Sequence, residues 1–250
     1  AAAVSDVELA RVPAGSVELH DARRRRRWTV ALEPFEIGVY PVTQEQLSEV
    51  IGVAASHPRR PAVEVSWLRA VRFCNALSEW EGLDPAYAVD GEEVRWHVDS
   101  DGFRLPTEAE WEYACRAGST GPHYGLLAEV AWTAGDGVTS PQPVGGKLPN
   151  LNGLFDTLGN VWEWCWDFLD TERYDDYRVF RGGGFADDAW SVRAGTRRGG
   201  GPRMTHDDVG FRVARGGFDA EDAAQGWSAA FDAERAAGGD PRPPGWTARR

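Results

Sequence analysis

The segment from residue 181 to residue 215 holds the densest group of side chains that could do chemistry in this 250-residue chain. His206, Asp207 and Asp208 follow one another in a loop, and Asp187 lies earlier in the same Gly-rich segment. Imidazole and carboxylate groups can transfer protons or hold a metal ion. The segment therefore predicts a polar pocket or a carboxylate-rich metal site, against the simpler alternative of a solvated loop.

Thiols offer a second kind of chemistry. The chain has three cysteines, Cys74, Cys115 and Cys165, an odd number without Cys-x-x-Cys spacing, which argues against a secreted disulfide scaffold. Each is expected to be a buried thiol, on the apolar face of a helix or among tryptophans. No apolar run is long enough to cross a membrane and no signal peptide opens the sequence, so we expect a soluble, cytoplasmic protein.

Composition indicates one sizeable core held together by loops. The chain is 42% apolar and 11% aromatic, and it combines 12 Trp with 29 Gly and 15 Pro. Such a mixture is typical of an irregular fold in which large rings fill the space between structured loops. A net charge of -12 argues against nucleic acid as a partner. The run of arginines at 23–27 is interpreted as a hairpin or sheet edge.

Local patterns place the elements around these residues. Partial apolar alternation predicts two short strands, over 12–19 and 28–40. Capping residues, helical periodicity and glycine stops predict three helices, and Asp-Gly predicts a hairpin turn. The helices are expected to begin at Thr43, to run from Ser66 to Glu81 and to run from Thr107 to Gly118, and the turn is expected at Asp90 and Gly91.

The last residues differ from the rest of the chain. We expect one domain over residues 1–215 and a C-terminal extension over 216–250. Ala223, Trp227 and Phe231 recur at four-residue spacing in the extension. This spacing predicts a helix that docks on the core.

Six separated motifs resemble one family, the formylglycine-generating-enzyme or sulfatase-modifying-factor family. They occur in the family's order and cover about residues 12 to 215. The motifs are PVTQEQL at 41–47, VSWLRAVRFCNALSEWEGLDPAY at 65–87, GFRLPTEAEWEYACRAG at 102–118, PNLNGLFDTLGNVWEWCWD at 149–167, RVFRGGGF at 178–185 and VGFRVA at 209–214.

The resemblance implies an α+β fold. It is a duplicated, low-regularity variant of the C-type-lectin-like fold, with few short strands, two or three helices and much structured loop. The family includes copper-dependent oxidases that convert a peptidyl cysteine to formylglycine, iron-dependent sulfoxide synthases, proteins of siderophore maturation and non-catalytic receptor domains. The fold therefore does not choose a function by itself.

The resemblance also implies a structural calcium ion at the GNVWEW motif. Its ligands would be the side chains of Asp156 and Glu163 and the carbonyls of Gly159 and Val161. Carboxylate and carbonyl oxygens in one tight turn suit a hard cation, although the two carboxylates could instead cap local amides. A second calcium site is not predicted, because EVAW at 129–132 lacks the family's Asn before the Trp, although Asp136 is close by.

The family's copper ligands are missing. In the peptide-cysteine oxidases two cysteines after the RGGGF motif bind copper(I) through thiolates, and the matching positions here hold Asp187 and Val192. A carboxylate and an apolar side chain cannot replace two soft sulfur ligands. A formylglycine-generating oxidase is therefore not expected.

The iron-dependent branch also lacks support in the sequence. Its histidines come largely from an additional N-terminal helical domain with an HxxxHxE pattern, and this pattern is absent from the chain. The five histidines are scattered and no two stand at helical ligand spacing. Each is therefore expected to have an ordinary surface or hydrogen-bonding role.

Two hypotheses follow. The first is a calcium-stabilised pseudoenzyme that recognises a peptide or a partner protein, with Arg198 and Arg203 binding an acidic ligand while Arg193 and Arg212 pair with buried carboxylates. The second is an oxidoreductase of the same family, an iron- or otherwise metal-dependent oxidase. It would modify a peptide or a small molecule with Asp187 and the 206–208 group, and its transition metal is not identified by the sequence.

Overall fold

A computed structural model describes residues 6–22, 25–169, 174, 176–216 and 225–227. These residues form four helices, α1 to α4, and eleven strands, β1 to β11. The helices are Gln44–Ile51, Trp67–Trp80, Glu108–Arg116 and Leu127–Val130. The strands are Leu9–Val12, Gly15–Asp21, Arg26–Leu32, Phe35–Gly38, Tyr87–Asp90, Glu93–Trp96, Trp162–Phe168, Arg178–Arg181, Arg197–Gly200, Val209–Gly210 and Ala214–Arg215. Across the described part of the chain, no helix has the length and apolar character needed to span a bilayer.

The two strands predicted near the N-terminus are each broken into two. Pro13 separates β1 from β2 and Pro34 separates β3 from β4, because proline cannot donate a ladder hydrogen bond. β1, β4 and β11 form one sheet, while β2 and β3 form a separate two-stranded hairpin. The hairpin interpretation is confirmed for the described end of the arginine run, since Arg27 lies in β3 and its guanidinium bonds Glu18 across the pair, while residues 23 and 24 lie outside the described residues.

The three predicted helices are confirmed. Thr43 and Thr107 form complete capping boxes with the residues three positions later, and Ser66 caps α2. The predicted apolar face of α2 is buried throughout. These helix N-termini could be predicted from the sequence because each depends on hydrogen bonds between residues at most four positions apart.

The middle of the chain differs from the prediction in two details. Asp90 pairs with Glu93, so the hairpin turn consists of Gly91 and Glu92 rather than Asp90 and Gly91. Gly91 has the positive φ of 61° that this tight connection requires. Helix α4 was not predicted, because it has no side-chain N-cap and therefore left no sequence signal.

The second sheet has the order β10-β7-β8-β9, and β7 carries the WEWCWDF sequence. β10 runs parallel to β7, and the other neighbours are antiparallel. Six of the seven residues of β7 are buried, so the sheet lies inside the molecule. Its tryptophans join a large aromatic core with α2 and the β5–β6 hairpin.

Helix α3 is attached to this core by buried charges. Its glutamates Glu108, Glu110 and Glu112 are almost inaccessible to solvent, and each contacts an arginine from another part of the chain. Buried carboxylates are tolerated when they are paired and hydrogen-bonded. We call these three residues and their arginine partners the α3 ion cluster.

Arg181 from β8 holds two members of this cluster. Its Nη2 lies 2.6 Å from Glu108 Oε1, and its Nη1 lies 2.8 Å from Glu112 Oε1. Arg197 from β9 also contacts Glu108, and Arg104 forms a two-point bond with Glu110 at 2.6 and 2.8 Å. Burial alone would raise the pKa of Glu108, but Arg181 and Arg197 hold that pKa below its ordinary value.

A short part of the C-terminal extension lies on the core. Gln225 is 5% exposed and Trp227 is 9% exposed. The predicted docking helix rests partly on Ala223 and Phe231, which lie outside the described residues. A helix through Trp227 is not formed, because Gln225 and Gly226 make a turn with φ values of 48° and 91°. What the structure shows of the extension is the packing of residues 225–227.

The α3 ion cluster generates a stability prediction. Arg181→Met should lower the free energy of unfolding by about 3 kcal/mol, because two buried carboxylates lose their shared partner while Arg197 and Arg116 keep some compensation. Urea unfolding measures the change. Arg27→Ala, which removes the solvent-exposed pair with Glu18, is the matched control and should cost at most about 1 kcal/mol. Equal effects of the two substitutions would contradict the prediction.

Candidate functional site

The candidate site begins where β8 ends. The glycines Gly182 and Gly183 have φ values of 103° and 81°, a conformation that other residues rarely adopt. A Cβ at Gly182 would lie 2.5 Å from Thr157 O, and one at Gly183 would lie 2.7 Å from a methyl group of Val192. The glycine run therefore lets the following loop, residues 185–196, pack tightly against the turn that precedes β7.

Asp187 fastens this loop. Its Oδ2 accepts hydrogen bonds from Trp162 Nε1 at 2.7 Å and from the Gly184 amide at 2.8 Å. Its Oδ1 lies 3.3 Å from Nη1 of Arg198. Both carboxylate oxygens of this predicted catalytic candidate are thus engaged in holding the loop.

Val192 is fully buried. It packs in an apolar cluster with Trp111, Cys115 and Cys165, and its carbonyl lies 2.9 Å from Nε2 of His123. This second position after the glycine run contributes to the core and does not face a ligand.

The three thiols are buried, as predicted. Burial raises the pKa of Cys115 to about 12, and it raises the pKa of Cys74 and of Cys165 above the ordinary thiol value. Cys74 belongs to the large aromatic core, whereas Cys115 and Cys165 lie in the cluster around Val192. A thiolate is the form that binds metal or attacks a substrate, and these surroundings disfavour it.

The carboxylates of Asp187 and Asp208, two of the predicted catalytic candidates, both lie close to Gly184. A Cβ at this glycine would lie 3.2 Å from Oδ2 of Asp208 and 3.3 Å from Oδ2 of Asp187. Burial, followed by repulsion from Asp187 and Asp207, raises the pKa of Asp208, while His206 lowers it. His206 and Asp207 are exposed. The structure therefore brings the four candidates into one neighbourhood, and in the described part of the chain no three His, Cys, Asp or Glu side chains group as metal ligands.

The turn before β7 brings the predicted calcium ligands together. Asp156 is fully buried, and its carboxylate accepts a bond of 2.8 Å from the Gly145 amide and a long one of 3.4 Å from Asn160. Burial raises the pKa of Asp156 to about 6. A buried carboxylate with so few donors retains the capacity to bind a cation.

Glu163 is differently placed. Its carboxylate accepts two bonds of 2.8 Å from Arg212 and one of 2.8 Å from Trp111 Nε1, and so keeps about one free acceptor position. Of the two predicted carboxylate ligands, Asp156 therefore keeps more free acceptor capacity than Glu163. The predicted pairing of Arg212 with a buried carboxylate is confirmed.

An open cleft of about 1210 Å³ lies beside the loop that Asp187 fastens. One wall is the β2–β3 hairpin and the other is formed by β9 and the loop before it. Trp190 projects from this loop with 74% of its surface exposed. The guanidinium of Arg193 lies 4.1 Å from the Trp190 ring centroid, so the expected pairing of Arg193 with a buried carboxylate is wrong. Stacking on an exposed ring keeps this arginine at the surface instead.

The two arginines predicted to bind a partner are placed apart. Arg198 lines the cleft, where its side chain is 49% exposed and donates to Ser191 Oγ at 2.9 Å. Arg203 does not line the cleft and pairs with Glu92 of the β5–β6 turn.

The family's sequence profile, described as the sulfatase-modifying factor enzyme 1-like domain, matches residues 2–216. The chain belongs to the sulfatase-modifying-factor family. The structure has the expected α+β architecture of this family's C-type-lectin-like fold.

Relatives of this family member carry different names. The chain is 33% identical to the chaperone protein LppX of Paenibacillus barcinonensis over 62% of this chain and 71% of that protein. It is 34% identical to the formylglycine-generating enzyme of Streptomyces coelicolor over 63% of this chain and 53% of that enzyme, so it spans about half of the enzyme's length. It is also 34% identical to inactive C-alpha-formylglycine-generating enzyme 2 of Bos taurus, over 75% of this chain and 79% of that protein.

A solved structure agrees with the family assignment. Treponema denticola variable protein 1 superposes with a TM-score of 0.77 at 30% identity, covering 85% of this chain and 96% of that protein. The fold therefore extends over nearly all of the described residues.

A lysine lies near the EVAW segment at 129–132, where a second calcium site was not predicted. The ammonium of Lys147 lies 3.0 Å from Asp136 Oδ1 and 2.6 Å from Ala128 O, and it stacks 4.3 Å from the Trp132 ring centroid. A side-chain cation thus already binds the carboxylate near EVAW. Further positive charge at this place would be repelled.

Sequence reasoning missed Trp190 and the aromatic wall of the cleft. Tyr174 and Tyr177 stack with ring centroids 5.5 Å apart and line the same cleft. A large aromatic beside arginine in a Gly-rich loop was the available signal for Trp190. The sequence gave no such signal for the two tyrosines, because only the tertiary fold brings them close to the loop.

Proposed function

We propose that this domain is a recognition module without formylglycine-generating activity, and that it binds an extended acidic peptide of a partner protein in the cleft beside Trp190. The observation that carries the proposal is the state of the two positions after the glycine run. The carboxylate of Asp187 accepts hydrogen bonds that hold the loop, and Val192 is buried in the core. The fold is thus maintained around positions that cannot supply thiolates.

The chemistry of the cleft supports an acidic ligand. Four of the arginines that line it are already paired with carboxylates, Arg27 with Glu18, Arg116 with Glu112, Arg197 with Glu108 and Arg198 with Asp187. On the loop side, Arg193 stacks on an exposed ring, and the Arg198 side chain stays 49% exposed beside its contact with Asp187. Guanidinium groups bind carboxylates by paired hydrogen bonds, which gives both affinity and orientation.

The aromatic side chains support a peptide rather than a simple anion. Trp190 and Tyr177 are exposed large rings at the cleft, and large exposed apolar groups beside arginine are typical of binding surfaces. An extended peptide can place an acidic side chain on the arginines and an apolar one on the rings. Two relatives, named as a chaperone protein and as an inactive enzyme, are consistent with recognition in place of catalysis.

Fluorescence anisotropy with a labelled peptide of alternating glutamate and tyrosine tests this proposal. Arg198→Ala should weaken binding roughly tenfold at low salt, because a charge-assisted hydrogen bond is lost. Added salt should weaken binding to the unaltered protein. Trp190→Ala should weaken binding at all salt concentrations, since the ring contributes apolar contact.

Arg203→Ala is the matched control, because Arg203 is an exposed arginine outside the cleft. Its affinity for the peptide should equal that of the unaltered protein. An Arg198→Ala protein that binds the peptide as tightly as this control at low salt would refute the proposed site.

We also propose that calcium binds the turn before β7 and stabilises the fold. Asp156 would be the principal charged ligand, with the carbonyls of Gly159 and Val161 and the remaining lone pair of Glu163. The support is the buried carboxylate of Asp156, which has few donors and whose pKa burial raises to about 6. A bound divalent cation would compensate the charge that burial disfavours.

Thermal unfolding with calcium and with EGTA checks the calcium proposal. Calcium should raise the melting temperature of the unaltered protein above the Asp156 pKa of about 6. The rise should shrink as pH falls through this pKa, because the protonated carboxyl is a poor ligand. Asp156→Asn should reduce the response, while Asp136→Asn, which changes the carboxylate already bound by Lys147, should keep it. Identical melting in calcium and EGTA at neutral pH would dismiss the ion.

A further inference from the structure

Residues Gln225, Gly226 and Trp227 lie beyond the family match, which ends at residue 216, and yet they are seated in the core. The geometry points to a binding site on the domain for a Gln-Gly-Trp segment, which the chain's own C-terminal extension occupies. We call residues 225–227 the latch. Its binding fastens the β2–β3 hairpin to helix α3.

Gln225 supplies the polar part of the latch. Its side-chain Oε1 accepts from the Glu33 amide at 2.9 Å, and its Nε2 donates to the Glu33 carbonyl at 2.8 Å. The same Nε2 lies 3.3 Å from Glu110 Oε2, and Thr107 Oγ1 donates to the Gln225 carbonyl at 2.8 Å. The side-chain amide of Gln225 thus bonds the N–H and the carbonyl of Glu33, just after β3, and reaches Glu110 in the first turn of α3. The Gln225 backbone carbonyl adds the bond from Thr107, which caps α3.

The site is selective for this amide. Glutamate at position 225 would lose the donor to the Glu33 carbonyl and would place a negative charge beside the buried carboxylate of Glu110. Asparagine would be one methylene too short to keep all of these contacts. The requirement for an acceptor and two donors at one side-chain end is met by glutamine.

Gly226 allows the close approach. Its φ is 91°, and an added Cβ would lie 3.0 Å from a Val30 methyl group and 3.3 Å from the Ala109 Cβ. The backbone of the latch therefore passes between the hairpin and α3 where a side chain would have to displace one of them. Glycine is the residue that fits this passage.

Trp227 supplies the apolar part. Its ring centroid lies 5.1 Å from that of Trp96 and 5.6 Å from that of Trp166, with the second pair edge to face. Buried aromatic rings in such pairs contribute strongly to packing. The latch therefore joins four separate parts of the fold, which are the end of β3, the start of α3, the β5–β6 hairpin and β7.

The latch acts on a wall of the cleft. β2 and β3 pair with each other in a two-stranded sheet, and the cleft is lined by Ser16, Val17, Glu18, His20, Asp21, Ala22 and Arg27. Contacts between the hairpin and α3 include a small apolar cluster of Val17, Leu19, Val30, Leu32 and Ala109. Without the latch, this small cluster would carry much of the hairpin's attachment to α3.

Hydrogen–deuterium exchange on the full chain, without any peptide ligand, tests the latch. Trp227→Ala and Gln225→Glu should each speed amide exchange in β2 and β3 roughly tenfold or more, with β8 unchanged. Leu151→Ala, at a residue that is 94% exposed, is the control and should leave both regions unchanged. A synthetic Gln-Gly-Trp peptide with its flanking residues, added at high concentration, should restore protection of the hairpin in the Trp227→Ala protein.

Either of two results would overturn the inference. One is unchanged hairpin exchange in both latch variants. The other is faster exchange spread equally over all elements, which would mean general destabilisation without specific attachment of the hairpin. The test does not depend on what the cleft binds, so its outcome is separate from that of the proposed function.

Discussion

The buried pairing of arginines with the glutamates of helix α3 is the interaction on which the rest of the structure depends. Arg181 comes from β8, Arg197 from β9 and Arg104 from the segment just before α3, and each meets a carboxylate that burial would otherwise disfavour. Because charges in the interior need partners in fixed positions, these pairs set the distance and orientation of the helix relative to the sheet. Because most strands of this chain are short, these ion pairs fix positions that longer helices and strands would otherwise fix.

The same pairs explain how the site can change while the fold persists. Arg181 stands immediately before the glycine run, so the loop that carries Asp187 starts from a fixed point. Arg212, from the segment after β10, bonds Glu163 in β7 and fixes the turn that holds Asp156. None of these contacts uses a thiolate. The two positions where the resemblance would place the oxidases' cysteines hold a tethering carboxylate and a core valine in this structure.

Much of this fold could be predicted from the sequence, for identifiable reasons. The capped helices at Thr43, Ser66 and Thr107 depend on local hydrogen bonds, and the family motifs follow one another in order along the chain. The burial of the three cysteines agreed with the prediction.

Features that depend on long-range contacts could not be predicted. The sequence does not show that Arg193 would stack on Trp190, since an arginine near many acids pairs in most proteins with a carboxylate. It does not show that Glu163 would use its oxygens on Arg212 and Trp111, or that Gln225 would bond the backbone of Glu33. Some of these contacts join residues from distant parts of the chain. In the others, several nearby residues of similar chemistry could have served as the partner.

The central claim is that this family member has kept the scaffold and lost the thiolate chemistry of the oxidases. The most direct measurement is an anaerobic titration of the purified chain with copper(I) against a chromogenic copper(I) chelator, followed by oxygen uptake with a cysteine-containing peptide. We predict that the chelator retains the copper and that the peptide stimulates no oxygen uptake, because the three thiols are buried. Tight copper binding together with copper-dependent oxidation of the peptide cysteine would contradict the account.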